Sequence, residues 1–344
     1  MSDDLRKYTV DAMAGEEIYG SQKAMREAKK MVAQSRLIFT TCIGAGLGLL
    51  RSQRFEIVIV DEASQQTEPA SLVPLVKGCR KAILVGDHIQ LRPTVTPLAA
   101  AQEFDISLFE RLYTHQDERV ARVMLNTQYR MHESICKPIS EEFYNGELQT
   151  GVPLDGRPMF SSEFPWPSVV APGRSARMVF LNCDTPEDLA QKSKSNKGQA
   201  ELCLRVCTLL CTDKKDKKPK PVEGPAGPST EAKKPSIAVL TPYTRQADLL
   251  KSMLSGFAQV EVCSIDGFQG KEADIVVFVT VRCNPHYDIG FLKDHRRLNV
   301  ALTRARTGII VVGNERTLTL GTSDEESAAL WKRLLSNMEK AILE

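Results

Sequence analysis

The stretch FEIVIVDEASQQTEP, Phe55 to Pro69, decides the fold. Four β-branched apolar residues, Ile57 to Val60, run without alternation into two adjacent acids, Asp61 and Glu62, and then into small and polar residues. A short continuous apolar run of this kind suits a strand of a parallel sheet with helices on both faces. In open parallel sheets, ligands bind beyond the carboxyl ends of the strands. Two neighbouring carboxylates at such an end repel each other unless a cation or a proton shares the site. Magnesium held by one carboxylate and nucleotide phosphates is one solution, with the second acid free to take a proton from water. The alternative is local: Asp or Ser after a strand often caps the next helix.

The same kind of run recurs along the chain. It is found at 36–42, 56–62, 81–87, 122–126, 177–183, 236–243, 260–266, 274–282 and 308–314. Nine strands exceed what one compact sheet of this type usually carries, so two α/β domains are expected, 1–124 and 125–344. The stretch 21–35 lacks Gly and Pro and predicts a basic helix. The Lys-, Pro- and Gly-rich stretch 212–235 has too few large apolar side chains to offset chain entropy and predicts a disordered insertion. Cys203, Cys207 and Cys211 recur every four residues, the spacing of one buried helix face; a metal site there lacks accompanying His or carboxylate residues.

Composition narrows the function classes. The 344 residues carry 45 Lys+Arg and 43 Asp+Glu, a net charge of +2, so bulk charge argues for neither nucleic acid nor membrane. The sequence contains no 18-residue apolar run, and 1–17 lacks the apolar core of a signal peptide. Nine cysteines without a CxxC pair fit a reducing compartment, cytoplasmic or nuclear.

Further blocks sharpen the reading. LVGDHIQLRP, 84–93, again ends an apolar run with an acid, followed by Gln90, a residue type that orients an attacking water near a phosphate. LNVALTRAR, 298–306, places Arg304 and Arg306 before the last long apolar run. On a continued helix at 100° per residue, Arg304 falls about 40° from Val300, on the inward side, and Arg306 about 160° from Arg304. Arg304 is therefore expected to face a cleft and Arg306 to point away.

The blocks TTCIGAG, VIVDEAS, LVGDHIQLRP, SLFERL, QYRMHESI, TPYTRQ, VCSIDGFQGKEADIVV and GFLKDHRRLNVALTRAR occur in an order that resembles superfamily 1 helicases of the nonsense-mediated mRNA decay type, over Ser21 to Asn314. The resemblance implies two RecA-like parallel-sheet domains of the P-loop NTPase fold and a monomeric helicase or translocase using ATP and magnesium on single-stranded RNA or DNA. By the same resemblance, Asp61 holds magnesium, Glu62 activates water, Gln90 senses the γ-phosphate, and Arg130 and Arg304 reach it from the second domain. Tyr129 stacks on adenine, with core packing as the alternative, and Gly270 and Glu272 contact the nucleotide. Thr41, Arg92, Pro93, Thr241, Tyr243, Ser264 and Arg282 lie along the nucleic acid, where Arg92 and Arg282 have a solvated-surface alternative. The family's phosphate loop, GxxxxGK[ST], is not in the sequence. That departure predicts a first domain truncated at its N-terminus, and leaves open a catalytically inactive nucleic-acid- or partner-binding module.

Overall fold

A computed structural model describes residues 7–14, 18, 20–115, 118–188, 193–213, 234–321 and 325–343. Most of the Lys/Pro/Gly-rich stretch, 214–233, lies outside the described residues. The chain divides into two compact units, Met1–Arg122 and Val123–Glu344.

Unit 1 begins with the helices α1 (Val10–Ala14) and α2 (Gln22–Gln34). Helix α2 starts where Ser21 places its hydroxyl on the Ala24 amide and buries Ala28 and Val32. Two parallel strands follow, β1 (Ile57–Val60) and β2 (Lys81–Leu84), joined through α3 (Glu68–Leu75) and paired Val60 to Leu84. Helices α4 (Pro97–Ala100) and α5 (Leu108–Thr114) complete the unit. Among the described residues, strand β1 is covered on one face only. Val58 and Val60 are buried with Ala63, whereas Ile57 and Ile59 are 65% and 66% exposed. The expected two-sided burial therefore does not hold here. Nor does the expected strand at 36–42, which is irregular, with Leu37 and Phe39 in solvent. No neighbouring strand among the described residues accepts its backbone hydrogen bonds, and β-propensity alone does not hold a strand.

Unit 2 is a six-stranded parallel sheet in the order β10-β5-β9-β8-β6-β7. Its strands are β5 (Ser175–Asn182), β6 (Ile237–Thr241), β7 (Val260–Ser264), β8 (Ala273–Val279), β9 (Ala305–Gly313) and β10 (Met338–Ala341). Here the continuous apolar runs mean what they were expected to mean: every residue of β6 and β8 is buried. One face packs on α7 (Lys197–Cys211) and α8 (Thr244–Met253), through Cys203, Val206, Cys207 and Leu250 against Val239, Val277 and Ile310. The regular cysteine spacing is thus the core face of a helix. The opposite face packs on α6 (Glu133–Phe143), α9 (His295–Leu302) and α11 (Glu325–Ser336), with α10 (Glu315–Thr319) between β9 and α11. Trp331 of α11 stacks on Phe278 of β8. This is the RecA-like layering, helices on both sides of a parallel sheet. The short pair β3 (Thr127–Gln128) and β4 (Gln149–Thr150) lies outside the main sheet. Residues 122–126 form no strand. Among the described residues, no helix is long and apolar enough to cross a membrane.

Candidate nucleotide and nucleic-acid site

In unit 1, parallel pairing of β1 and β2 brings their carboxyl ends side by side. The turns that follow are laced together: the Ala63 amide donates to Val85 O at 2.8 Å, and the Asp87 amide to Ser64 Oγ at 3.2 Å. A Cβ at Gly86 would come within 2.9 Å of the Ser64 nitrogen, so the close approach needs glycine. Asp61, Glu62, Asp87 and Gln90 thereby share one edge. Glu62 sits in the left-handed region at φ 50°, an uncommon backbone for a non-glycine residue. Neither acid caps the turn Ala63–Gln65 with its side chain. Asp61 Oδ1 instead accepts the Glu62 amide at 3.0 Å, and Glu62 Oε2 accepts Gln65 Nε2 at 2.6 Å. Gln90 Nε2 donates to Asp87 Oδ2 at 2.7 Å. The capping alternative for the acid pair is thus removed, and both carboxylates face solvent.

The donor set suits a hard divalent cation. Among the described residues, no group of three or more His, Cys, Asp or Glu is placed to enclose a metal. One or two carboxylates, completed by phosphate oxygens and water, match the way magnesium accompanies nucleotides. The residues present fit that magnesium side of a nucleotide. The glycine-rich cradle for the remaining phosphates is not in these 344 residues.

In unit 2, a second constellation forms at the amino ends of β8 and β9. Glu272 receives Arg130 Nε at 2.8 Å and Arg306 Nε at 3.0 Å, and Arg306 Nη1 lies 3.7 Å from Asp274. Arg130 Nη1 also donates to Thr303 O at 3.0 Å. Burial pushes the Glu272 pKa up, and the two guanidinium groups outweigh it and hold the carboxyl below its ordinary range. Tyr129 is 69% exposed, which removes core packing as its role, and its ring lies over Gly151. Gly270 is exposed at φ 75°, two residues before Glu272.

The helical phase assumed for Arg304 and Arg306 is corrected. Helix α9 ends at Leu302 and β9 begins at Ala305, so Arg304 occupies the turn between them and the 100° rule does not reach it. Arg304 is 2% exposed, with donors on Val300 O, Lys271 O and Thr303 Oγ1. It is buried inside unit 2 rather than lining an open cleft. Arg306, expected to point away, joins the Glu272 cluster.

The carboxyl edge of the same sheet carries Thr241, Tyr243, Ser264 and Arg282. Strand β8 has seven residues, so this edge lies on the order of 20 Å from the Glu272 cluster. Thr241 is fully buried and Tyr243 nearly so, whereas Ser264 is half-buried and accepts the Gly267 amide at 3.1 Å. Arg282 is enclosed: Nε on Glu187 at 2.9 Å, Nη2 on Asp288 at 2.9 Å and Nη1 on the Tyr243 hydroxyl at 3.2 Å. Burial favours loss of its charge, and those three oxygens outweigh burial and hold its pKa above the usual range. Burial pushes the Tyr243 hydroxyl pKa up. Val281, just before it, has φ 71°, a true outlier for a β-branched residue, costing on the order of 1–3 kcal/mol. Buried amides hold that backbone: Gln199 Oε1 accepts the Val281 amide at 2.7 Å, and Asn196 Nδ2 donates to its carbonyl at 3.0 Å. In unit 1, Arg92 is paired with Glu110 and, at 3.1 Å, Asp105; Pro93 is buried and Thr41 exposed.

The expectation that Thr241, Arg92 and Arg282 touch nucleic acid thus meets a different geometry. Thr241 has no open surface, and both guanidinium groups are engaged by carboxylates. A buried guanidinium is retained only where such partners satisfy it. Glu187, Asp288 and Arg306 were not among the expected site residues. Arg306 alone had a sequence signal, its place in the LNVALTRAR block.

The comparisons with known proteins agree with this frame. A family profile described as AAA domain matches residues 104–316, and a second with the same description matches 6–97. The chain is 36% identical over 317 residues to the ATP-dependent helicase NAM7 of Saccharomyces cerevisiae, covering 89% of this chain and 29% of that protein. It is 37% identical over 334 residues to a regulator of nonsense transcripts 1 homolog of Drosophila melanogaster, covering 94% of this chain and 25% of the relative. The chain thus spans under a third of the length of these curated relatives. It belongs to the AAA-domain family, as a relative of the superfamily 1 helicases that include the regulators of nonsense transcripts.

Proposed function

We propose that the chain is part of an ATP-dependent helicase or translocase acting on single-stranded RNA or DNA, with magnesium as cofactor. The observation that carries this reading is the acid pair. Asp61 and Glu62 stand exposed at the carboxyl end of a parallel strand, Glu62 in a left-handed backbone, and neither acts as a helix cap. Asp61 is assigned to the cation and Glu62 to the proton of the attacking water, with Gln90 positioning that water. Magnesium, when bound, neutralises charge developing on the transferred phosphoryl group. Arg130, on the open Glu272 cluster, is the guanidinium assigned to the γ-phosphate. Arg304 is the second candidate, and turning it outward requires giving up its backbone carbonyls. Tyr129 offers an exposed ring to adenine, and Glu272 with Gly270 edges the ribose. Thr41 in unit 1 and Ser264 in unit 2 contact the strand; Arg92 and Pro93 in unit 1, and Thr241, Tyr243 and Arg282 in unit 2, support those contacts within their own units. We place the protein in the cytoplasm or nucleus as a monomer; its nine free thiols suit a reducing compartment.

A second reading, a binding module without turnover, is favoured by one observation: GxxxxGK[ST] does not occur in the sequence. The test is steady-state phosphate release with single-stranded RNA and DNA. The chain alone is expected to release negligible phosphate. Fused to a relative's segment carrying the phosphate loop, it should show strand-stimulated release that Glu62→Gln abolishes. Folded fusion protein that binds nucleotide and strand yet never turns over would leave only the second reading.

A further inference from the structure

The buried Arg282 has a consequence at the surface. Residues 288–293 form a tight turn fixed from below. Asp288 Oδ1 accepts the Gly290 amide at 2.9 Å while its other oxygen holds Arg282. Asn284 Nδ2 donates to Asp288 O at 2.8 Å. Gly290 lies at φ 54°, and a Cβ there would come 2.0 Å from Arg282 Nη1 and 2.6 Å from the Tyr243 hydroxyl. Ile289 and Leu292 are buried, and Trp331 Nε1 donates to Leu292 O at 3.4 Å. Between these anchors, Phe291 turns outward and keeps 55% of its surface in solvent. Its ring is supported from two sides. The Tyr243 ring lies 5.5 Å away, tilted by 54°, and the Arg297 guanidinium lies 5.7 Å from the ring centroid. Arg297 is in turn held by Asp266 and Asp294, at 3.2 and 3.3 Å.

An aromatic ring exposed on so constrained a turn is a preorganised surface. The cleft beside it, between Phe291, Arg297, Pro242, Ser264, Ile265 and Asp266, measures about 80 Å³. Phe291 forms one wall of it, so what the turn presents is the exposed face of the ring rather than an enclosing pocket. One ring with a charged and polar rim is also far below the roughly 800 Å² per partner of a stable protein interface. It matches one planar ligand laid on one ring. We infer that Phe291 is a stacking platform for a nucleobase of a bound single strand, and that Arg282, Gly290 and Tyr243 act as positioning residues for it. This rests on the proposed nucleic-acid reading and adds a base contact to it. Since every base has a π-face, such a contact is tolerant of sequence.

The test compares labelled single strands of equal length and charge, one with bases and one abasic, by fluorescence anisotropy with the whole chain. Wild type is expected to prefer the base-bearing strand by about 5- to 150-fold, the range of one base–aromatic stack. Phe291→Ala should bring the two affinities together, and Phe291→Trp should keep or widen the gap. The slope of log affinity against log salt, which counts phosphates, should not move in either variant. Equal affinity of wild type for both strands, or an unchanged ratio in Phe291→Ala, overturns the platform while leaving the nucleic-acid reading intact. Binding to neither strand by folded protein overturns both.

Discussion

Glu187→Ala should be among the most damaging single substitutions in unit 2. The Glu187 side chain is 1% exposed and its partner Arg282 7%. One oxygen, Oε2, accepts Arg282 Nε at 2.9 Å, the Cys283 amide at 2.8 Å and Asn284 Nδ2 at 3.1 Å. Removing one partner of a buried ion pair typically costs about 3–5 kcal/mol, because the other charge stays buried. Asp288, at 2.9 Å and half in solvent, remains as a counterion and pulls the cost toward the lower end. The two stranded donors pull it up again. The balance is about 3–4 kcal/mol, or a fall in Tm of about 6–16 °C for a unit of this size. Urea unfolding followed by tryptophan fluorescence reads it directly, since Trp166 and Trp331 both lie in unit 2. Glu187→Gln should lose about half as much, because a neutral oxygen still accepts. A loss below about 1 kcal/mol for Glu187→Ala at unchanged m-value would refute the view that this carboxylate secures Arg282.

Three other outcomes are expected. His132 caps α6 by accepting the Ser134 amide on Nδ1 at 3.1 Å, and burial, then Arg177, holds its pKa below the usual value. A depressed pKa means this stability is present above the unfolded His pKa and lost as pH falls through the folded one. Unfolding free energies from urea titrations should therefore fall as pH is lowered through and below the ordinary His range, and His132→Asn, which keeps a cap acceptor, should remove most of that fall. Glu272, also depressed, contributes above the ordinary Glu range and loses its contribution as pH falls below it; Glu272→Gln should flatten this acid limb of a stability–pH curve. Ile59→Thr, on the open face of β1, should leave unit 1 stability within about 0.5 kcal/mol while lowering hydrophobic-dye binding, and a larger loss would mean that the face is covered in solution.

Much of unit 2 was legible in the sequence because its signals are local. Continuous apolar runs became β6, β8 and β9, and a cysteine every four residues became the core side of α7. The acids of VIVDEAS stand at a strand end because the apolar run stops at Val60. Local pattern failed where a neighbour decides. The run at 36–42 has strand propensity and, among the described residues, no strand beside it. Strand β10, MEKA, has no apolar run and exists because the edge of β5 offers it hydrogen bonds. The helical phase of Arg304 failed at a helix-to-strand turn that no periodicity announces.

The sequence by itself determined which segments pair with water and which with one another, since hydrophobic periodicity and chain breaks are properties of neighbouring residues. Tertiary structure alone decided which distant side chains meet. Arg130 and Glu272 are joined across 142 positions, and Arg282 and Glu187 across 95. The order of strands in the sheet sets those meetings, and with them whether an arginine is buried as a brace or left open to a ligand. Phe291 shows the difference: in sequence it is one aromatic in an apolar pair, Phe291-Leu292. Only the turn over Arg282 buries the leucine and leaves the phenylalanine in solvent.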